Sequence, residues 1–133
     1  MPPDLTRLNV QTSPGEFLDK LTILEIKSER ITDPKKLENV RRELDLLRAT
    51  WAASPLAARD VKVLVAQLKQ VNVSLWEIED RIREHEARQR FDGAFVELAR
   101  AVYRTNDRRA EIKRELNVLL GSDLLEEKSY TKY

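Results

Sequence analysis

Thr105 and Arg109 interrupt an otherwise apolar stripe, and chemistry is expected at that break. The stripe runs Phe95, Leu98, Val102, then positions 105 and 109, then Ile112, Leu116 and Leu119, the three-and-four spacing of a helix face packed on other helices. An arginine there has to meet a carboxylate or a bound anion, because a guanidinium taken from water without a partner is strongly disfavoured. Asn106 and Lys113 border the same stripe. Bidentate contact from Arg109, a point charge from Lys113 and orienting amide or hydroxyl groups from Asn106 and Thr105 would together suit a small anion.

The acids that could answer these cations lie on other segments. On a helical wheel of about 100° per residue, Glu25 falls between Leu18 and Leu21, inside an apolar arc. Glu79 projects near Val61 and Val65, on a ridge that also carries Asn72 and Trp76. The connection near Phe91 is short, so the two helices it joins should run antiparallel, bringing the Leu75 to Glu79 turn beside the Thr105 to Arg109 turn. Glu79 is therefore expected to meet Arg109. The same residues support three readings: a site for a small anionic ligand, a carboxylate kept from water as a general acid or base, or an ion-pair layer that fixes helix register.

Strong punctuation marks the elements that must position these groups. A capping residue precedes proline at Ser13-Pro14, Asp33-Pro34 and Ser54-Pro55, and proline suits the first helical position. Glu16 stands three residues after Ser13, the spacing of a capping box. Asp92 is expected to open a fourth helix and Gly121 to stop it. Helices are thus predicted near 14–31, 34–53, 56–90 and 93–120. The second repeats Leu37, Val40, Leu44, Leu47 and Trp51; the third repeats Val61, Leu64, Leu68, Val71, Leu75, Ile78 and Ile82. The spacing predicts an all-α, antiparallel bundle of about four helices in one domain. An extended segment or edge strand over 1–12 precedes it, the bundle covers 13–121, and an ordered polar tail covers 122–133. At 1.5 Å per residue the third helix would be roughly 50 Å long, which implies either a break or a second subunit sharing its apolar face.

Composition narrows the function classes. With 24 basic and 23 acidic residues the net charge is +1, which argues against nucleic acid, whose phosphates call for a basic face. The absence of cysteine excludes disulfides, thiolate metal sites and a cysteine nucleophile. Met1-Pro2-Pro3-Asp4 does not read as a secretion signal, and no apolar run reaches the ~18 residues of a membrane span, so a cytoplasmic protein is expected. Glu77, Asp80, Asp107 and Glu111 loosely resemble the acidic helix pairs with which all-helical nucleotide pyrophosphohydrolases hold magnesium. They do not share one face, and they read as solvated; neither a metal nor a cofactor is expected. His85 continues the third seam as a helix-end packing residue. Arg104, Arg108, Arg109 and Arg114 could touch phosphates, but Asp107, Glu111 and Glu115 are interleaved with them, a solvated pattern.

Several blocks carry a resemblance. Ser13-Pro14-Gly15-Glu16 running into Asp19-Lys20-Leu21-Thr22-Ile23-Leu24-Glu25-Ile26-Lys27, then Leu75-Trp76-Glu77-Ile78-Glu79-Asp80, Tyr103-Arg104-Thr105-Asn106-Asp107-Arg108-Arg109, Ile112-Lys113-Arg114 and Glu127-Lys128-Ser129-Tyr130 resemble a bacterial family of small all-helical proteins of unknown function. The resemblance spans nearly the whole chain. It implies that the tail, Lys128 and Tyr130 above all, belongs to the fold and closes over the polar cluster. The expected function is a binding module for a small anionic ligand or a helical partner protein, assembled as a homo-oligomer. Its site would comprise Arg109, Lys113, Asn106, Thr105, Glu79, Glu25, Lys128 and Tyr130. An enzyme acting on a phosphorylated or carboxylated metabolite, or a pure scaffold, are the alternatives.

Overall fold

The expected caps open most of the helices in the computed structural model, which describes residues 2–133. Ser13 accepts from the Glu16 amide at 3.1 Å and starts α1, Pro14–Arg30. Asp33 accepts from the Lys35 and Lys36 amides at 2.9 and 3.3 Å and starts α2, Pro34–Ala53. Asp92 accepts from the Phe95 amide at 3.1 Å and starts α4, Gly93–Leu119. Each side-chain oxygen takes up amides that the first helical turn leaves unbonded.

Ser54 behaves differently. It caps only a single 3-10 turn, Pro55–Ala58, and α3 begins later, at Lys62. The Asp60 side chain accepts from the Lys62 amide at 3.3 Å, a second local bond that restarts the chain after the turn. The continuous helix expected from residue 56 is therefore broken, and α3 (Lys62–Ala87) is about 39 Å long rather than 50 Å. That removes the length argument for a second subunit. Gly121, at φ 71°, closes α4 as expected, with the Ser122 amide bonding back to the Asn117 carbonyl at 2.9 Å.

α1 lies at the centre and packs on all three other helices, whereas α2 packs on α1 and the 3-10 turn that follows it. α3 and α4 run antiparallel and share the most extensive helix pairing, as the short connection requires. Leu18, Leu68, Ile112, Leu116 and Leu120 form the buried core. Leu120 is buried and Leu119 is 43% exposed, because the 3.6-residue repeat has drifted off the strict seam by the end of α4. At the far end of the α3–α4 hairpin, Phe91 meets Phe95 edge to face at 5.2 Å and His85 lies 6.3 Å from Phe95, a helix-end packing role.

Among the described residues there is no strand. The segment before α1 forms a 3-10 turn at Pro3–Thr6 and then runs on with Leu8 92% exposed and Val10 81% exposed, so alternation alone did not make an edge strand. No helix among the described residues is long and apolar enough to cross a membrane. The tail over 122–133 lacks regular secondary structure and lies along α4, held by three side-chain bonds described below.

Candidate functional site

Asp19, a residue of α1, is the hub of the polar cluster. Its carboxylate is almost wholly buried and receives Arg109 in a two-point contact, with Arg109 Nε donating to Oδ1 at 2.9 Å and Nη2 donating to Oδ2. Asn72 Nδ2, from α3, donates to Asp19 Oδ1 at 2.9 Å and to Thr22 Oγ1 at 3.0 Å, and Thr22 in turn donates to the Asp19 carbonyl at 2.8 Å. Three helices thus meet through one carboxylate. The Asp19 contact, followed by its charge, raises the Arg109 pKa against the opposing effect of burial. Among the described residues every fully buried side-chain nitrogen or oxygen has a hydrogen-bond partner, so the buried part of this layer is internally complete.

One turn along α4 the arrangement changes character. The Lys113 ammonium lies 2.6 Å from Glu16, 2.9 Å from Glu126 and 3.9 Å from Asp19. Burial alone would lower its pKa; the hydrogen bonds to Glu16 and Glu126 and the charge of Asp19 outweigh that, and the pKa is raised. Lys113 donates to Glu126, and this bond, ahead of any other cause, lowers the Glu126 pKa. Glu126 belongs to the tail. The tail is also tied by Glu127 to Arg114 at 3.3 Å and by the Tyr133 hydroxyl, which donates to Asp107 at 2.6 Å while its ring packs on Tyr103 at 4.9 Å.

Gly15 sets how closely α1 approaches α4. Its amide donates to Asn117 Oδ1 at 2.7 Å, and a Cβ at this position would sit 2.9 Å from the same oxygen and press on the Lys113 carbonyl. A glycine in the first turn of α1 lets the two backbones come close enough for Glu16 and Asp19 to reach Lys113 and Arg109.

Two clefts flank the layer. The larger, about 1250 Å³, lies between α4 and the tail and includes Asn106, Lys113, Asn117, Lys128 and Tyr130. The smaller, about 320 Å³, lies between α1, α3 and α4 and includes Arg109 and Glu79. The expected site residues are therefore divided: Asn106, Lys113, Lys128 and Tyr130 share one cleft, while Arg109 and Glu79 share the other. Lys128 stands 4.0 Å from Glu126, and Tyr130 is mostly exposed. Asn106 bridges the two sides, its Oδ1 lying 3.5 Å from Arg109 Nη1.

The expected acids are placed elsewhere. Glu79 is exposed and lies 3.6 Å from Arg83 of its own helix, so it does not pair with Arg109. Glu25 lies 3.6 Å from Lys69 and 3.8 Å from Arg48, on the side of α1 turned to α2 and α3. Thr105 is half-buried and lines neither cleft. The reason is geometric. A helix packed on three sides is apolar nearly all round, so a place within its apolar arc does not say which neighbour a carboxylate faces; Glu25 is about 120° from Asp19 on the wheel. Glu16, Asp19 and Thr22, spaced by three on the face toward α4 and α3, were legible as a polar stripe. So were Asn106, Arg109, Lys113 and Asn117 on α4. The four scattered acids also find separate places: Glu77 meets Arg30 at 3.4 Å, Glu111 meets Arg108 at 3.2 Å, Asp107 accepts from Tyr133, and Asp80 lines the smaller cleft. Among the described residues no group of three or more His, Cys, Asp or Glu side chains is placed to hold a metal ion.

The family of unknown function DUF6165 has a model that matches residues 8–133, and the chain belongs to that family. No curated protein and no solved structure matches the chain.

Proposed function

We propose that the chain is a small binding module that takes an anionic ligand into the cleft between α4 and the tail, at the Lys113 ammonium. One observation carries this reading: of the two carboxylates that hold the cation at the floor of that cleft, Glu16 stands on α1 and Glu126 on a segment without regular secondary structure. A ligand carboxylate or phosphate that displaced Glu126 would find the same buried donor, Asn106 and Asn117 beside it, and Lys128 and Tyr130 on the facing wall. The exchange replaces one anion by another. Lys113 therefore stays paired throughout, and no buried charge is left bare. Arg109 serves this site indirectly, by holding α1 against α4 through Asp19.

A purely structural role is favoured for the other half of the network by the fully matched hydrogen bonds around Asp19. Thermal-shift measurements separate the two roles. Inorganic phosphate, sugar phosphates and dicarboxylates are screened against wild type, Glu126→Gln and Lys113→Met. At least one compound is expected to raise the wild-type midpoint, to raise that of Glu126→Gln further because the competing carboxylate is gone, and to leave Lys113→Met unmoved. If no compound shifts either wild type or Glu126→Gln, Lys113 is structural and the module reading fails.

A further inference from the structure

The smaller cleft carries a different chemistry from the tail cleft. Ile23, Ile26, Leu75 and Trp76 give it apolar walls, and Arg109 lies at its edge with Asn72. Lys27 and Asp80 bring one positive and one negative group to the same opening. Among the described residues neither has an oppositely charged partner within 4.0 Å, although almost every other charged group around the cluster does. The two opposite charges line one cleft more than 4.0 Å apart, so neither neutralises the other directly. A ligand that carries both signs would span it.

The volume, about 320 Å³, is at the small end of ligand sites. Arg109, which lines the cleft, commits Nε and Nη2 to Asp19 and Nη1 to a long 3.5 Å bond with Asn106, so its five N–H donors are not all used. From these placements we infer that the cleft between α1, α3 and α4 binds an α-amino acid with an apolar side chain. Its carboxylate meets Lys27 and the remaining donor capacity of Arg109, its ammonium meets Asp80, and its side chain lies between Ile23 and Trp76. A monoanion of the same shape would leave Asp80 facing it unanswered, and an amine would leave Lys27 so. The zwitterion satisfies both. This site is separate from the Lys113 cleft and stands independently of the function proposed there.

Trp76 reports on the cleft directly. In a Trp51→Phe background, which leaves Trp76 as the sole indole, phenylalanine and leucine are titrated alongside 3-phenylpropionate and phenethylamine. A saturable shift of Trp76 emission is expected with the amino acids, with each analogue binding about tenfold more weakly for want of one charge-assisted contact. Lys27→Met, a change at the cleft opening, is expected to weaken the amino acids by about the same factor while leaving phenethylamine unaffected. Glu126→Gln should leave all these titrations unchanged. Failure of both amino acids to move Trp76 emission would overturn the inference. So would phenethylamine or 3-phenylpropionate binding as tightly as phenylalanine, or undiminished amino-acid binding in Lys27→Met.

Discussion

Asp19–Arg109 and Glu126–Lys113 sit one turn apart on α4, yet they are different kinds of ion pair. In the first, both partners stand on helices, the carboxylate side chain is 2% exposed, and Asn72 and Thr22 complete its hydrogen bonds. In the second, the carboxylate is 46% exposed and comes from the tail. The first cannot open without separating α1 from α4. The second opens when a few tail residues lift. A buried pair is costly to break from one side because the orphaned charge stays buried, whereas an exposed carboxylate returns to water at little cost. Position on the scaffold, more than charge, decides which pair is structure and which is available for exchange.

The sharpest break of this contrast is Asp19→Ala. It strands Arg109 and removes the Asn72 acceptor, and it should lower the unfolding free energy by about 3 kcal/mol, the low end for one-sided loss of a buried pair because Arg109 is partly exposed. Glu126→Ala, by comparison, should cost at most about 1 kcal/mol. Urea unfolding of the two variants measures both. Equal losses would erase the distinction between the two halves.

Gly15 tests the approach that both pairs depend on. Gly15→Ala forces a methyl against the Lys113 carbonyl and the Asn117 side chain, and overpacking of this kind typically costs about 2 kcal/mol. At Gly93 a methyl group would meet nothing within 4 Å, so Gly93→Ala should be neutral or slightly stabilising, by up to about 1 kcal/mol. A neutral Gly15→Ala, read against Gly93→Ala in the same unfolding assay, would mean that α1 can shift without loss.

How much of this was legible depends on which physical signal each residue leaves. Helix starts were readable because a short polar side chain at the start of a helix satisfies free amides locally, and Ser13, Asp33 and Asp92 do so. Ser54 has the same local signature but heads only one turn, since Asp60 offers a competing bond to the Lys62 amide just downstream. Arg109 stood out because it breaks an apolar repeat. Its partner left a weaker signal: Asp19 shares a three-residue polar spacing with Glu16 and Thr22, but it lies on a helix surrounded by neighbours, where burial leaves no single preferred face. Glu126 was hidden for another reason: a tail has no period, so its sequence does not say which residue reaches back.

The smallest effect concerns pH and touches only the exchangeable half. Glu126 has a pKa below the ordinary glutamate value, chiefly through the Lys113 hydrogen bond, so its contribution to holding the tail is present above that ordinary value and is lost as pH falls through the lowered one. Lys113 has a raised pKa, so its contribution is present below the ordinary lysine value and is lost only as pH rises through the raised one. The tail should therefore stay seated from neutral pH well into both flanks and release first on the acid side. Amide exchange over 124–133 is expected to speed up there relative to α4, and Glu126→Gln should remove most of that acid transition while leaving the exchange of α1 unchanged. If α1 and the tail lose protection together on acidification, Glu126 is as much a part of the fold as Asp19, and one cooperative network replaces the two halves.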